Sequence, residues 1–165
     1  MKTFFHIVAG LGAALVLLAL LSCAKASAPV TVRQNTEEEP KEESNMPNKI
    51  QITIDGTTLP IVLVKNAATE ALVRALQEAT ITYTASDYGG FEKVGALGLS
   101  LPATDTHITT EAGDVILYSG NQIVLFYGSN SWSYTRIGKM EYESLDALRS
   151  FLKAGEGNIR VTLSL

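Results

Sequence analysis

Seven side chains in the second half of the chain could share one piece of chemistry: Tyr88, Phe91, Glu92, Phe126, Trp132, Tyr134 and Arg136. Trp132, Tyr134 and Arg136 recur at every second position, so a strand presents them on one face and Ser133, Thr135 and Ile137 on the other. Aromatic rings around one cation make an apolar pocket with a fixed hydrogen-bond donor. Rotation of the amide before a proline needs no nucleophile and no proton transfer. It needs a slot for the ring and a donor to the twisted amide, against a barrier of about 18–20 kcal/mol. The same residues would serve as well to hold a peptide or small ligand unchanged. Two plainer readings stand beside these. Phe126 alone reads as core, and Trp132 with Tyr134 could be a packed surface stripe with Arg136 stacked on it. Glu92 and Lys93 read as a solvated loop pair.

Other chemistries find little support. Beyond the first 22 residues the one histidine is His107, in a polar stretch where it reads as solvated, and the one cysteine is Cys23. No ligand set has the spacing of a metal site, and neither metal nor other cofactor is expected. No serine lies in a nucleophile turn, and Gly89-Gly90 does not complete a phosphate loop. No catalytic residue is therefore assigned. The formal charge of −4 argues against nucleic acid as a partner.

The start of the chain reads as a targeting segment over residues 1–22. Lys2 supplies the positive end, and residues 7–21 are uncharged and mostly apolar. That run is shorter than the roughly 20 residues of a bilayer span and suits the core of a signal peptide. It ends Leu20-Leu21-Ser22-Cys23, which resembles the lipobox of bacterial lipoproteins. The resemblance implies cleavage before Cys23 and lipid on that residue. The protein would then sit in the cell envelope, anchored on the extracytoplasmic side of a bacterial membrane. With a single cysteine no intrachain disulfide can form. Residues 23–48 then read as the lipidated Cys23 and a disordered acidic tether. It carries Glu37, Glu38, Glu39, Glu42 and Glu43, has Pro29, Pro40 and Pro47, and lacks any aromatic residue. As a flexible coil it would span roughly 25–30 Å.

Residues 49–165 carry the patterning of a folded domain, in a chain that is 46% hydrophobic and 18% charged. Ile50, Ile52 and Ile54 alternate with polar residues as in a half-buried strand, and Asp55-Gly56 is a hairpin signal. The returning strand, 59–64, contains Pro60, which belongs at a strand start or an edge. Asn66 can cap a helix whose apolar stripe is Ala68, Ala71, Leu72, Ala75, Leu76 and Ala79. A strand over 80–85 leads into a glycine-rich loop, 86–95, carrying Tyr88 and Phe91. Leu97, Leu99 and Leu101 suggest a short strand stopped by Pro102, and 103–112 reads as polar loop. Runs at 115–119 and 122–127 form a hairpin on Gly120-Asn121, followed by the alternating strand of Trp132. Ser144 caps a second helix, with Leu145, Leu148, Phe151 and Leu152 on one side and Gly155 as terminator. Ile159, Val161, Leu163 and Leu165 alternate in a closing strand. About eight strands and two helices suffice for a small barrel.

Three stretches carry a family resemblance: 49–56, 86–102 (Ser-Asp-Tyr-Gly-Gly-Phe-Glu-Lys through Leu-Pro) and 113–140, with its Gly-Asp-Val-Ile-Leu-Tyr, Leu-Phe-Tyr-Gly and Arg-Ile-Gly-Lys-Met runs. Over residues 49–165 the chain resembles the small bacterial cyclophilin-like domains. The resemblance implies a mainly β fold, a closed eight-stranded barrel covered by two helices. Cyclophilins that isomerise prolyl bonds carry a Phe-His-Arg run and a Gln-Gly-Gly-Asp-Phe run, and neither is present here. The function expected is a membrane-anchored module binding a peptide or small ligand. The alternative is a peptidyl-prolyl isomerase assisting exported proteins. Proline-containing peptides or another envelope protein are the expected partners.

Overall fold

The computed structural model describes residues 46–165. The expected targeting segment, Cys23 and most of the stretch expected to be an acidic tether lie outside the described residues. Met46 packs against the domain's core, and the Asn48 carbonyl accepts from the Leu63 N–H at 2.8 Å.

The first hairpin follows from its sequence. Strand β1 (Lys49–Ile54) buries Ile50, Ile52 and Ile54 and turns through Asp55 (φ 48°) and Gly56 (φ 81°) into β2 (Thr57–Leu63). Two successive positive φ values give the turn whose twist matches the strands. Pro60 lies mid-strand rather than at the strand start. Its carbonyl accepts from the Glu141 N–H, so its missing donor faces the same side, just past the end of that side's ladder. The position is therefore an edge locally. Helix α1 (Ala67–Glu78) opens with a reciprocal cap. Asn66 Oδ1 accepts from the Thr69 N–H at 2.9 Å, and Thr69 Oγ1 accepts from the Asn66 N–H at 3.1 Å.

The remaining elements are β3 (Ile81–Tyr88), β4 (Glu92–Ala96), β5 (Thr106–Thr109), β6 (Asp114–Tyr118), β7 (Gln122–Phe126), β8 (Ser131–Met140), α2 (Leu145–Phe151) and β9 (Ile159–Ser164). Eight strands close into an antiparallel barrel in the order β2-β1-β9-β3-β4-β7-β6-β8. The seam is β2 against β8, where Ile61 pairs Met140, Val62 pairs Lys139 and Leu63 pairs Gly138. Strand β5 stands outside the ring, paired only with β8. The barrel interior is apolar, and Leu72, Val73 and Leu76 of α1 and Leu148 of α2 extend the same core.

Five local readings change. The glycine-rich loop is two strand ends around a tight turn, with Gly89 (φ 62°) and Gly90 (φ 75°) in the positive region. The β6–β7 loop has three residues, 119–121, because Tyr118 already pairs Gln122. Residues 97–101 form no strand. Leu97 and Leu101 are buried, and their N–H groups bond the Asn121 and Gly120 carbonyls, so the alternation marks a loop packed on that turn. Strand β5 arises within the stretch read as polar loop; of its four residues only Ile108 packs against buried apolar side chains. In α2, Leu145 is exposed rather than on the buried side. Among the described residues, no helix is long and apolar enough to cross a membrane.

Candidate functional site

Alternation on the barrel wall builds a second apolar layer outside it. Lys93 and Leu125 pair across β4 and β7 and face inward. Their neighbours Glu92 and Phe126, and the next pair Val94 and Val124, face outward. Ile116 of β6 and Tyr134 of β8 join them. Phe126 sits at the centre, fully buried. Its ring stacks on Phe91 at 6.4 Å and meets Tyr134 edge-on at 5.9 Å, and Tyr134 meets Tyr118 edge-on at 6.0 Å.

Over this floor opens a cavity of about 430 Å³, lined by Tyr88, Glu92, Val94, Tyr118, Gln122, Val124, Asn130, Trp132 and Tyr134. Tyr88 and Trp132 form its exposed rim. Asn130 Nδ2 donates to the Tyr134 hydroxyl at 3.0 Å. Burial, and then the nearby Glu92 charge, push the Tyr134 hydroxyl above its ordinary range. Glu92 is 5% exposed, and its Oε2 has no hydrogen-bond partner among the described residues. Burial pushes its carboxyl up to about 7. A larger hollow, about 500 Å³, lies between β2 and α2, but its carboxylates Glu141 and Glu143 are exposed to solvent.

With this geometry in hand, comparison with known proteins places the fold. The model of the cyclophilin-like family matches residues 52–164. This chain belongs to the cyclophilin-like family. A hypothetical protein from Archaeoglobus fulgidus, known from its solution structure, is similar to it. The TM-score is 0.52 and the identity 17%, covering 74% of this chain and 98% of that one. At that identity the likeness is one of fold. No curated protein matches the chain significantly.

The cyclophilin-like barrel brings together four of the seven site residues expected from sequence: Tyr88, Glu92, Trp132 and Tyr134 line the cavity. Phe91 and Phe126 lie beneath as its floor; Phe126 is buried as expected, but in the outer layer rather than the barrel interior. Arg136 shares the strand face without lining the cavity. Its guanidinium pairs at 2.5 Å with Asp114, whose side chain is 2% exposed, and the Asp114 Oδ2 also accepts from the Glu111 N–H. The donor that prolyl isomerisation would require is thus committed elsewhere. Tyr118, Gln122, Val94, Val124 and Asn130 escaped the sequence reading. Both runs of the central hairpin looked apolar on either face, which hid the outward set of Ile116, Tyr118, Gln122 and Val124.

Glu92 and Lys93 are not a solvated loop pair. Lys93 is fully buried inside the barrel, where Nζ donates to the Glu156 carbonyl at 2.6 Å and the Gly157 carbonyl at 3.2 Å and pairs with Asp87 at 3.0 Å. The Tyr127 hydroxyl donates to both Asp87 oxygens, at 2.8 and 2.9 Å. Burial alone would raise the Asp87 carboxyl, but hydrogen bonds from Tyr127, Lys93 and the Gly155 N–H outweigh it and hold the group below its ordinary value. His107 is exposed, as expected. Among the described residues, no group of three or more His, Cys, Asp or Glu side chains is placed to hold a metal ion. The pocket offers aromatic walls, two amides and one desolvated carboxyl, groups suited to recognition.

Proposed function

We propose that this cyclophilin-like domain is a ligand-binding module that holds a peptide or small ligand in the outer aromatic pocket. In this reading it is carried on the extracytoplasmic side of a bacterial membrane by lipid on Cys23. The observation that carries the binding reading is the cavity of about 430 Å³ over a packed aromatic floor. Concave, largely apolar sites with a few placed polar groups are where small ligands bind. The lipid anchor rests on the lipobox resemblance and lies outside the described residues.

Trp132, the sole tryptophan of the chain, stands on the rim and reports occupancy by its fluorescence. A panel of proline-containing peptides and small solutes should include at least one that shifts this emission saturably. Tyr134→Ala should abolish the shift. If no member of the panel gives a saturable change, the binding reading fails. Catalysed prolyl isomerisation is not expected, since Arg136 is held by Asp114. A rate enhancement lost in Arg136→Ala would replace the binding module with an isomerase. Cys23→Ser should stop palmitate incorporation in cells, and label still entering that variant would overturn the anchor.

A further inference from the structure

We propose that the pocket recognises an organic ammonium group, with the Glu92 carboxylate as its counter-charge and Tyr88, Tyr118, Trp132 and Tyr134 as its walls. The inference rests on the binding reading above and narrows it to a ligand class.

Three observations converge. First, Glu92 is a buried carboxyl whose Oε2 has no partner among the described residues, and it lines the cavity. Buried carboxylates are ordinarily paired, so the missing partner is an obligation the ligand can meet. Second, no lysine or arginine lines the cavity. Lys93, next in sequence, faces the barrel interior and is held by Asp87, and Arg136 is held by Asp114. The groups that do face the cavity from neighbouring elements are the phenols Tyr88 on β3, Tyr118 on β6 and Tyr134 on β8, none of them a cation at any pH. Third, four aromatic rings line the cavity. Tyr118 and Tyr134 meet at 71° and make a corner, while Tyr88 and Trp132 are exposed at the rim. Ring faces set around a small volume attract ammonium groups through the aromatic quadrupole, and desolvation strengthens the attraction.

An ammonium group could come from a small methylated amine or from a lysine side chain in a peptide. The test titrates the full chain, following Trp132 emission, with choline, with its neutral isostere 3,3-dimethyl-1-butanol, and with N-acetyl-lysine amide. At least one of the two cations should bind more tightly than the neutral isostere, by about tenfold or more. Tighter binding of choline assigns a methylated amine, and tighter binding of the lysine amide assigns a peptide side chain. Glu92→Gln should weaken the preferred cation by on the order of tenfold. In the wild type, affinity should rise as pH increases through about 7, where Glu92 ionises. This pH series decides the matter even if the Gln variant folds poorly.

Two outcomes overturn the inference while leaving the binding reading in place. One is a neutral isostere that binds as tightly as both choline and the lysine amide. The other is affinity that falls with rising pH, as it would if neutral Glu92 donated a hydrogen bond to a ligand carbonyl. If neither cation binds and a proline peptide does, the ligand class is again wrong and the module stands. If nothing binds saturably, both fail together.

Discussion

Glu92 and Lys93 are adjacent and face opposite ways, one into the outer pocket and one into the barrel. Each carries a charge into a place where charge is costly, and the two positions solve that problem differently. Lys93 is satisfied by Asp87 and two carbonyls, whereas Glu92 is left to titrate. Its carboxyl moves from the ordinary 4.5 to about 7 on folding, so between those values the folded chain holds a proton that the unfolded chain has released. The stabilisation is complete below about 4.5 and is lost as pH rises through 7. Thermal melts should therefore show wild type losing stability relative to Glu92→Gln from pH 4.5 to 8, with the two similar at the acid end. Arg136 makes the opposite case. Arg136→Ala leaves buried Asp114 with only the Glu111 N–H as partner and should cost about 1–3 kcal/mol in denaturant melts. Affinity for a pocket ligand should be nearly unchanged, because Arg136 does not line the cavity.

At the level of elements, the reading from sequence succeeded where a signal was local. Asp55-Gly56, the Asn66 cap and the Ser144 cap are each short codes for backbone geometry, and each sits where the pattern placed it. The pattern failed where a partner strand decides the outcome. β5 is a strand because β8 extends beyond the barrel and offers an edge, and residues 97–101 are a loop whose Leu97 and Leu101 N–H groups bond the carbonyls of the β6–β7 turn. The same limit hid half of the pocket, whose lining comes from β3, β4, β6, β7 and β8, strands from two separate stretches of the sequence that become neighbours only by pairing in the sheet. Gly138 tests the closure of the barrel itself. It lies on the seam, and a Cβ there would run into the Val62 carbonyl and the Ile61 side chain. Gly138→Ala should lower the urea midpoint by an amount corresponding to about 1–3 kcal/mol. Gly157→Ala, at a site with nothing within 4 Å of the added Cβ, should be close to neutral in the same measurement.

On the scale of the whole molecule, the barrel holds two separate apolar layers, one enclosed by the wall and one lying on its outer face. The enclosed layer is sealed in part by polar bonds. Lys93 and Asp87 pair across β4 and β3 and reach the loop between α2 and β9 through the Glu156 and Gly157 carbonyls and the Gly155 N–H. Lys93 thus has no accessible surface, while the other lysines of the described residues, Lys49, Lys65, Lys139 and Lys153, are exposed or partly so. That contrast makes one amine a clock. An acylating reagent at neutral pH should mark those four lysines within its ordinary reaction time and reach Lys93 only in molecules whose barrel has opened. The rate at which mass spectrometry finds acylated Lys93 should follow the population of opened barrel and rise in Gly138→Ala. Prompt acylation of Lys93 in the unperturbed protein would mean that this end of the barrel breathes without unfolding.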